Sequence, residues 1–210
     1  MTSDKKAAVK GAAVKTRAKR MSPEARRQQI LMCAVDVFAE QGIEKATHAD
    51  IALRAGVASP TVFHYFPTID DLQAEVIKEV RRFLLDGFVI VRTDIDAPVY
   101  IRVEDMLSSF AKAVDSDKNY ITIWLEWSGY TKGHIWELYK EFYAATTTAL
   151  RKLLLEGRVD NSIRSSLQAA DAARVILGMA HSVAHLRFCG GTSKTAQKTI
   201  NSFVAEYIAP

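Results

Sequence analysis

Residues 47–66 read THADIALRAGVASPTVFHYF. Thr47 followed three residues later by Asp50 is a capping-box pair that starts a helix, because each side chain can satisfy the other's free backbone N–H. Ile51, Ala52 and Ala55 form the buried edge of that helix, and Gly56 stops it. Ser59-Pro60 then opens a third helix, with Val62 and Phe66 facing inward and Pro67 as the stop. A connection of about three residues centred on Gly56 is the geometry of a helix-turn-helix.

Upstream, Ser22-Pro23-Glu24 is a capping serine followed by proline at a first helical position. The stripe Ile30, Ala34, Val37, Phe38 carries this first helix to Gly42. Downstream of Pro67 the periodicity predicts helices over 69–91, 99–115, 117–131, 134–156, 167–189 and 193–207, with breakers at Pro98, Gly133, Gly157 and Gly190-Gly191. Strand-like alternation is confined to a short apolar stretch near Phe88–Val91, and the fold class is all-α.

About half of the 210 residues are apolar, enough for a sizeable core. The net charge of +4 is uneven: residues 1–20 hold seven basic residues against Asp4, a net of +6, so the other 190 sum to −2. Residues 1–20 have no hydrophobic periodicity and read as a flexible basic arm, which suggests a polyanionic partner. Cys33 and Cys189 form no CxxC pair, which fits a reduced cytoplasmic setting rather than a disulfide framework. No apolar run reaches the roughly 20 residues of a membrane span, and no membrane partner is expected.

The third helix carries the functional signal. A recognition helix must present small and hydrogen-bonding groups in its first turn, as Ser59-Pro60-Thr61 does. Phe63, His64 and Tyr65 follow, and with Val62 and Phe66 on the inward face not all three rings can be buried. An ordinary helical hairpin inside a bundle would not need exposed rings there.

The segments His48-Ala49-Asp50-Ile51-Ala52, Gly56 to Thr68 and Asp71-Leu72 resemble the TetR family of transcription regulators, in detail over the N-terminal third and in length and helical layout over the rest. Within that family the chain looks most like the LuxR/HapR-type quorum-sensing master regulators, on its second helix, on Thr61-Val62-Phe63 with Tyr65 to Thr68, and on Trp124-Leu125-Glu126-Trp127-Ser128 followed by Trp136. The resemblance implies a flexible basic arm over 1–20, a three-helix DNA-binding domain over 21–68, and a helical effector-binding and dimerisation domain over 69–210. It implies a repressor or dual regulator, linked to quorum sensing, that binds a pseudo-palindromic operator in double-stranded DNA as a homodimer in the nucleoid.

It also implies roles by position. Ala58, Ser59, Pro60, Thr61, Phe63 and His64 match groove-facing positions, and Thr47 and Tyr65 match phosphate contacts, with Thr68 in the same DNA-binding set. Arg17, Lys19 and Arg20 match an arm that reaches the minor groove, where arginine reads narrow A·T-rich segments. Two positions depart: His64 replaces an asparagine, and Ile69 replaces a charged backbone anchor.

One short recognition helix reads too few base pairs alone, so dimerisation is expected through the last two long helices. Ala169, Ala172, Ala173, Ile176, Ala180, Val183 and Ala184 form a small-residue stripe suited to that packing. Phe110, Trp124, Trp127, Tyr139, Phe142, Tyr143 and Thr146 are expected to line a pocket for a small apolar effector, with Glu126 and Ser128 as further polar groups.

His181, His185 and Cys189 share one helical face at metal-ligand spacing. Gly190-Gly191 interrupts the helix there and no fourth ligand is near in sequence, so neither a metal nor a cofactor is expected. An enzyme pairing Glu126 with His134 or His181 is the competing class. It lacks a nucleophile elbow, a Gly-rich phosphate loop and paired carboxylates, and it leaves the helix-turn-helix unexplained. A helical adaptor using the basic arm is the other.

Overall fold

The computed structural model describes residues 21–210, and the arm residues Arg17, Lys19 and Arg20 lie outside that range. The described residues are helical throughout their regular structure. The first three helices are α1 (Pro23–Gln41), α2 (His48–Ala55) and α3 (Ser59–Tyr65). They are followed by α4 (Ile69–Leu84), α5 (Val99–Ser116), α6 (Lys118–Gly129), α7 (Gly133–Val159), α8 (Ala169–Phe188) and α9 (Ser193–Phe203).

Local chemistry sets the N-terminal boundaries. The Ser22 hydroxyl accepts from Ala25 N at 3.1 Å with Pro23 in the first turn of α1. Thr47 and Asp50 cap α2 reciprocally, and Thr68 and Asp71 repeat the device at α4. Gly56 ends α2 in the left-handed region (φ 64°), turning the chain toward α3 at little steric cost.

Two expected breaks resolve differently. The predicted helix over 69–91 stays α-helical only to Leu84, then passes into a π-helical turn, Leu85–Val89, and a 3₁₀ turn, Ile90–Arg92. The stretch read as strand-like is thus helical, and the buried Arg92 folds back to donate to the carbonyls of Phe88 (3.0 Å) and Gly87 (3.3 Å). Arg92 also meets Asp105 at 2.8 Å and Ser109 at 2.7 Å on α5. Gly157 is no stop: α7 continues through it to Val159. A Cβ at 157 would sit 2.8 Å from Val99 Cβ and 2.9 Å from Ile163 Cγ2, so the glycine permits a close approach to the start of α5.

One continuous apolar core runs from Ile30 to Ile208. α4 contributes Leu72, Val76, Ile77 and Val80 to it and packs on α1, α6 and α7, joining the helix-turn-helix to the C-terminal bundle. The joint is polar as well. Ile43, in the α1–α2 loop, has its N–H held by Glu126 of α6 at 2.9 Å and its carbonyl by Gln73 of α4 at 2.9 Å. Asn119 of α6 donates to Asp36 of α1 at 2.8 Å. Glu126, expected as pocket polarity, instead accepts from Ile43 and from the Tyr130 hydroxyl (3.1 Å), and Ser128 caps the Leu125 carbonyl on its own helix.

The small-residue stripe on α8 needs correcting. Ala169, Ala172, Ala173, Ile176, Val183 and Ala184 are buried within the protomer and Ala180 is half-buried, because α8 presses this face against α7 and α5. The outward face is instead Arg174, Val175, Gly178, Ser182 and His185. No helix among the described residues is long and apolar enough to cross a membrane.

Candidate functional site

α3 has only seven residues and no side-chain cap at Ala58, so its position depends on what lies beneath it. Val62 and Phe66 are buried, and the Arg27 guanidinium covers the Phe66 ring at 4.8 Å while pairing with Glu75 of α4 at 2.6 Å. Ala58, Pro60, Phe63 and His64 are exposed, and Ser59, Thr61 and Tyr65 are half-buried. Among the described residues, neither the Ser59 nor the Thr61 hydroxyl has a hydrogen-bond partner, which leaves both available to a ligand. The His64 ring meets Tyr65 edge-on at 5.0 Å.

Thr47 and Thr68 are exposed and stand at the N-caps of α2 and α4. Each hydroxyl donates to its capping aspartate, Thr47 to Asp50 at 2.6 Å and Thr68 to Asp71 at 2.7 Å. Those protons are committed to the helix starts. The missing charge at Ile69 is a packing choice, since its side chain lies half-buried against the core.

One residue of the site escaped the sequence reading. His48 is buried; its Nε2–H donates to the Phe66 carbonyl at 2.8 Å, and its ring stacks on Phe63 (4.1 Å, interplanar angle 9°). Its position, three and four residues before Ile51 and Ala52, was the available signal.

Inside the bundle, Phe110, Trp124, Phe142 and Thr146 help line a cavity of about 40 Å³ between α4, α5, α6, α7 and α8. Trp127, Tyr139 and Tyr143 lie off it. Trp127 donates to the Ile135 carbonyl at 2.9 Å and packs on Tyr139 and Phe142, and Tyr143 is exposed. The lining is apolar but for Thr146, whose Oγ1 is buried without a partner, as is Trp124 Nε1. The space is far below the roughly 300–1,000 Å³ of small-molecule sites.

Residues 30–76 match the model for bacterial regulatory proteins of the tetR family. The chain is 28% identical over 190 residues to the HTH-type transcriptional regulator LuxR of Vibrio harveyi, covering 90% of each chain. Over residues 30–76, then, the chain is similar to the tetR family of bacterial regulatory proteins. Two solved structures share its fold: a putative transcriptional regulator from Saccharomonospora viridis in complex with choline (TM-score 0.76, 18% identity, covering 88% of this chain and 97% of that one), and the regulator FadR from Bacillus subtilis in complex with stearoyl-CoA (TM-score 0.70, 23% identity, covering 85% and 95%). The family and these relatives are DNA-binding regulators, not enzymes.

The described helix-turn-helix is not itself basic. Residues 21–68 hold four basic and five acidic residues, a net of −1. Two of the four cations are paired, Arg27 with Glu75 and Arg54 with Glu40.

The histidine and cysteine face of α8 is dispersed in its uses. His185 Nδ1 contacts the His181 carbonyl at 2.8 Å, Cys189 is exposed, and no group of three or more metal-ligating side chains stands together among the described residues. His181 packs against Trp124 (ring centroids 3.9 Å) and donates from Nδ1 to the Leu177 carbonyl at 3.0 Å. Burial pushes its imidazole below the ordinary value of 6.5, and His185 adds to this, while the bond to Leu177 opposes it. The unfolded chain therefore takes up this proton more readily than the folded one, so stability falls as pH drops through 6.5 toward the lower folded value. Thermal unfolding should show Tm decreasing from pH 7 to pH 5, with a shallower decrease in His181→Gln; equal slopes would show that His181 is not responsible.

Proposed function

We propose that this regulator binds a pseudo-palindromic operator as a homodimer, with α3 in the major groove, and acts as a repressor or dual regulator under a small apolar effector. The observation that carries the reading is the exposed face of α3: Ser59, Thr61, Phe63 and His64 stand on a helix fixed from behind by Val62 and Phe66. Ser59 and Thr61 bring hydroxyls, and His64 brings a ring nitrogen, all suited to base edges. Ala58, Pro60 and Tyr65 complete the contact face, Thr47 and Thr68 serve it as helix caps, and Arg17, Lys19 and Arg20 supply the minor-groove arm.

Dimerisation through α8 and α9 would place two recognition helices about one DNA turn apart. The outward residues Val175, Gly178 and Ser182 offer the close-packing surface. An effector enters the reading through the cavity: a ligand too large for about 40 Å³ favours a widened bundle and shifts the population toward it. α6 connects the two sites, with Trp124 in the cavity wall and Glu126 holding the Ile43 amide. The link to quorum sensing rests on the similarity to LuxR/HapR-type regulators.

Selection of duplexes from a random pool, followed by mobility shifts, tests the reading. The protein should enrich a two-fold symmetric sequence, and Thr61→Ala with His64→Ala should remove the preference while the helical content and dimer mass stay unchanged. Enrichment of no sequence would refute the reading; a double variant that unfolds would mean these residues are core.

A further inference from the structure

The interior face of α3 poses a problem that Val62 and Phe66 do not solve. Phe66, at the C-terminal end, lies in extended backbone (φ −138°) just before Pro67, and its carbonyl is beyond the reach of any helical N–H. The carbonyl is satisfied from α2, by the His48 imidazole. The same ring lies flat against Phe63, one helical turn back, while Phe63 is still about half exposed (49%). One buried side chain therefore fixes two things: where the recognition helix ends and which way its exposed aromatic ring faces.

Phe63 has no polar atom, so it cannot read a base by hydrogen bonding. What an apolar ring can distinguish in the major groove is the 5-methyl group of thymine. That contact is worthwhile only when the ring is already held in place, because an exposed phenylalanine would otherwise lose rotamer freedom on binding. The stack on His48 removes that freedom in advance.

We propose that His48 is a positioning residue of the recognition helix, which presents the Phe63 ring as a fixed apolar surface for a thymine methyl in the operator. The inference rests on the operator-binding reading above and names one feature that the operator must contain. His48 itself touches no DNA. Its imidazole must carry the proton on Nε2 to donate to Phe66, which leaves Nδ1 as the nitrogen without that role.

The test uses the full chain and the duplex that it enriches from a random pool. Deoxyuridine is substituted for thymidine one position at a time, which deletes the methyl and nothing else. Binding of the parent should weaken about three- to tenfold at one symmetry-related pair of positions. Phe63→Ala should bind the thymidine and deoxyuridine duplexes equally there. His48→Gln keeps a donor for the Phe66 carbonyl but loses the flat ring; it should lose most of the discrimination at that pair while its preferences elsewhere, and its helical content, persist. Phe63→Leu, a tolerated change at a half-exposed site, guards against a folding artefact and should retain part of the discrimination. Enrichment of a sequence with no deoxyuridine effect anywhere would overturn the proposal and leave operator binding standing, as would full discrimination in His48→Gln. Failure to enrich any sequence would instead overturn the operator reading, and the proposal with it.

Discussion

Raising the salt from 50 to 200 mM should lower operator affinity by roughly 10³–10⁴-fold, the loss expected when six to eight phosphates are neutralised and their counterions are no longer released so favourably. The structure adds an expectation about where those charges reside. The described helix-turn-helix carries a net of −1, with Arg27 and Arg54 engaged by Glu75 and Glu40, whereas residues 1–20 carry +6. Most of the salt dependence should therefore belong to the arm. A variant beginning at Met21 should bind more weakly at 50 mM and show a much flatter slope of log affinity against log salt, while the order in which α3 ranks operator sequences is kept. Measured by fluorescence anisotropy over that salt range, an unchanged slope would place the phosphate contacts on the folded domain instead.

Phe66→Ala should be the most damaging single change to the DNA-binding region. The ring is 1% exposed, packs in the core beneath α3 and lies under the Arg27 guanidinium at 4.8 Å. Replacing a buried phenylalanine by alanine removes apolar burial and leaves a cavity, at about 3–5 kcal/mol. The cation–π contact with Arg27 goes with it, which adds about 0.5–1 kcal/mol at so exposed a cation. Because the Phe66 carbonyl is backbone, its bond from His48 survives, and the loss isolates the ring. Chemical denaturation should show the drop, and operator binding should fail first as the mutant is warmed. A destabilisation below about 1 kcal/mol would mean that the pocket under α3 collapses around the smaller side chain.

Much of this was legible in local spacing. The Thr47–Asp50 capping box, Pro23 and Pro60 in first turns and Gly56 at the turn are interactions within three or four residues, and each forms as the spacing predicts. The inward pair Val62 and Phe66 follows from the 3.6-residue repeat in the same way. The cavity was legible only in part, because an aromatic-rich pair of helices turns some rings toward a gap and others toward each other: Trp127 and Tyr139 pack together, while Phe110 and Trp124 face the space. The α8 stripe misled for a related reason. Small residues suit close packing equally well inside a protomer and between two, and the pattern carries no label for which.

Alone, then, the sequence determined that residues 47–66 form a helix-turn-helix on an all-helical chain and that the positive charge is concentrated in its first 20 residues. Those properties depend on neighbours a few positions apart or on composition. Only the tertiary structure decided that Glu126 and Gln73 hold the N–H and the carbonyl of Ile43, and that His48 backs Phe63. These contacts join groups up to 83 residues apart. Which donor meets which acceptor at that separation is settled by how the helices pack, and no local pattern encodes it.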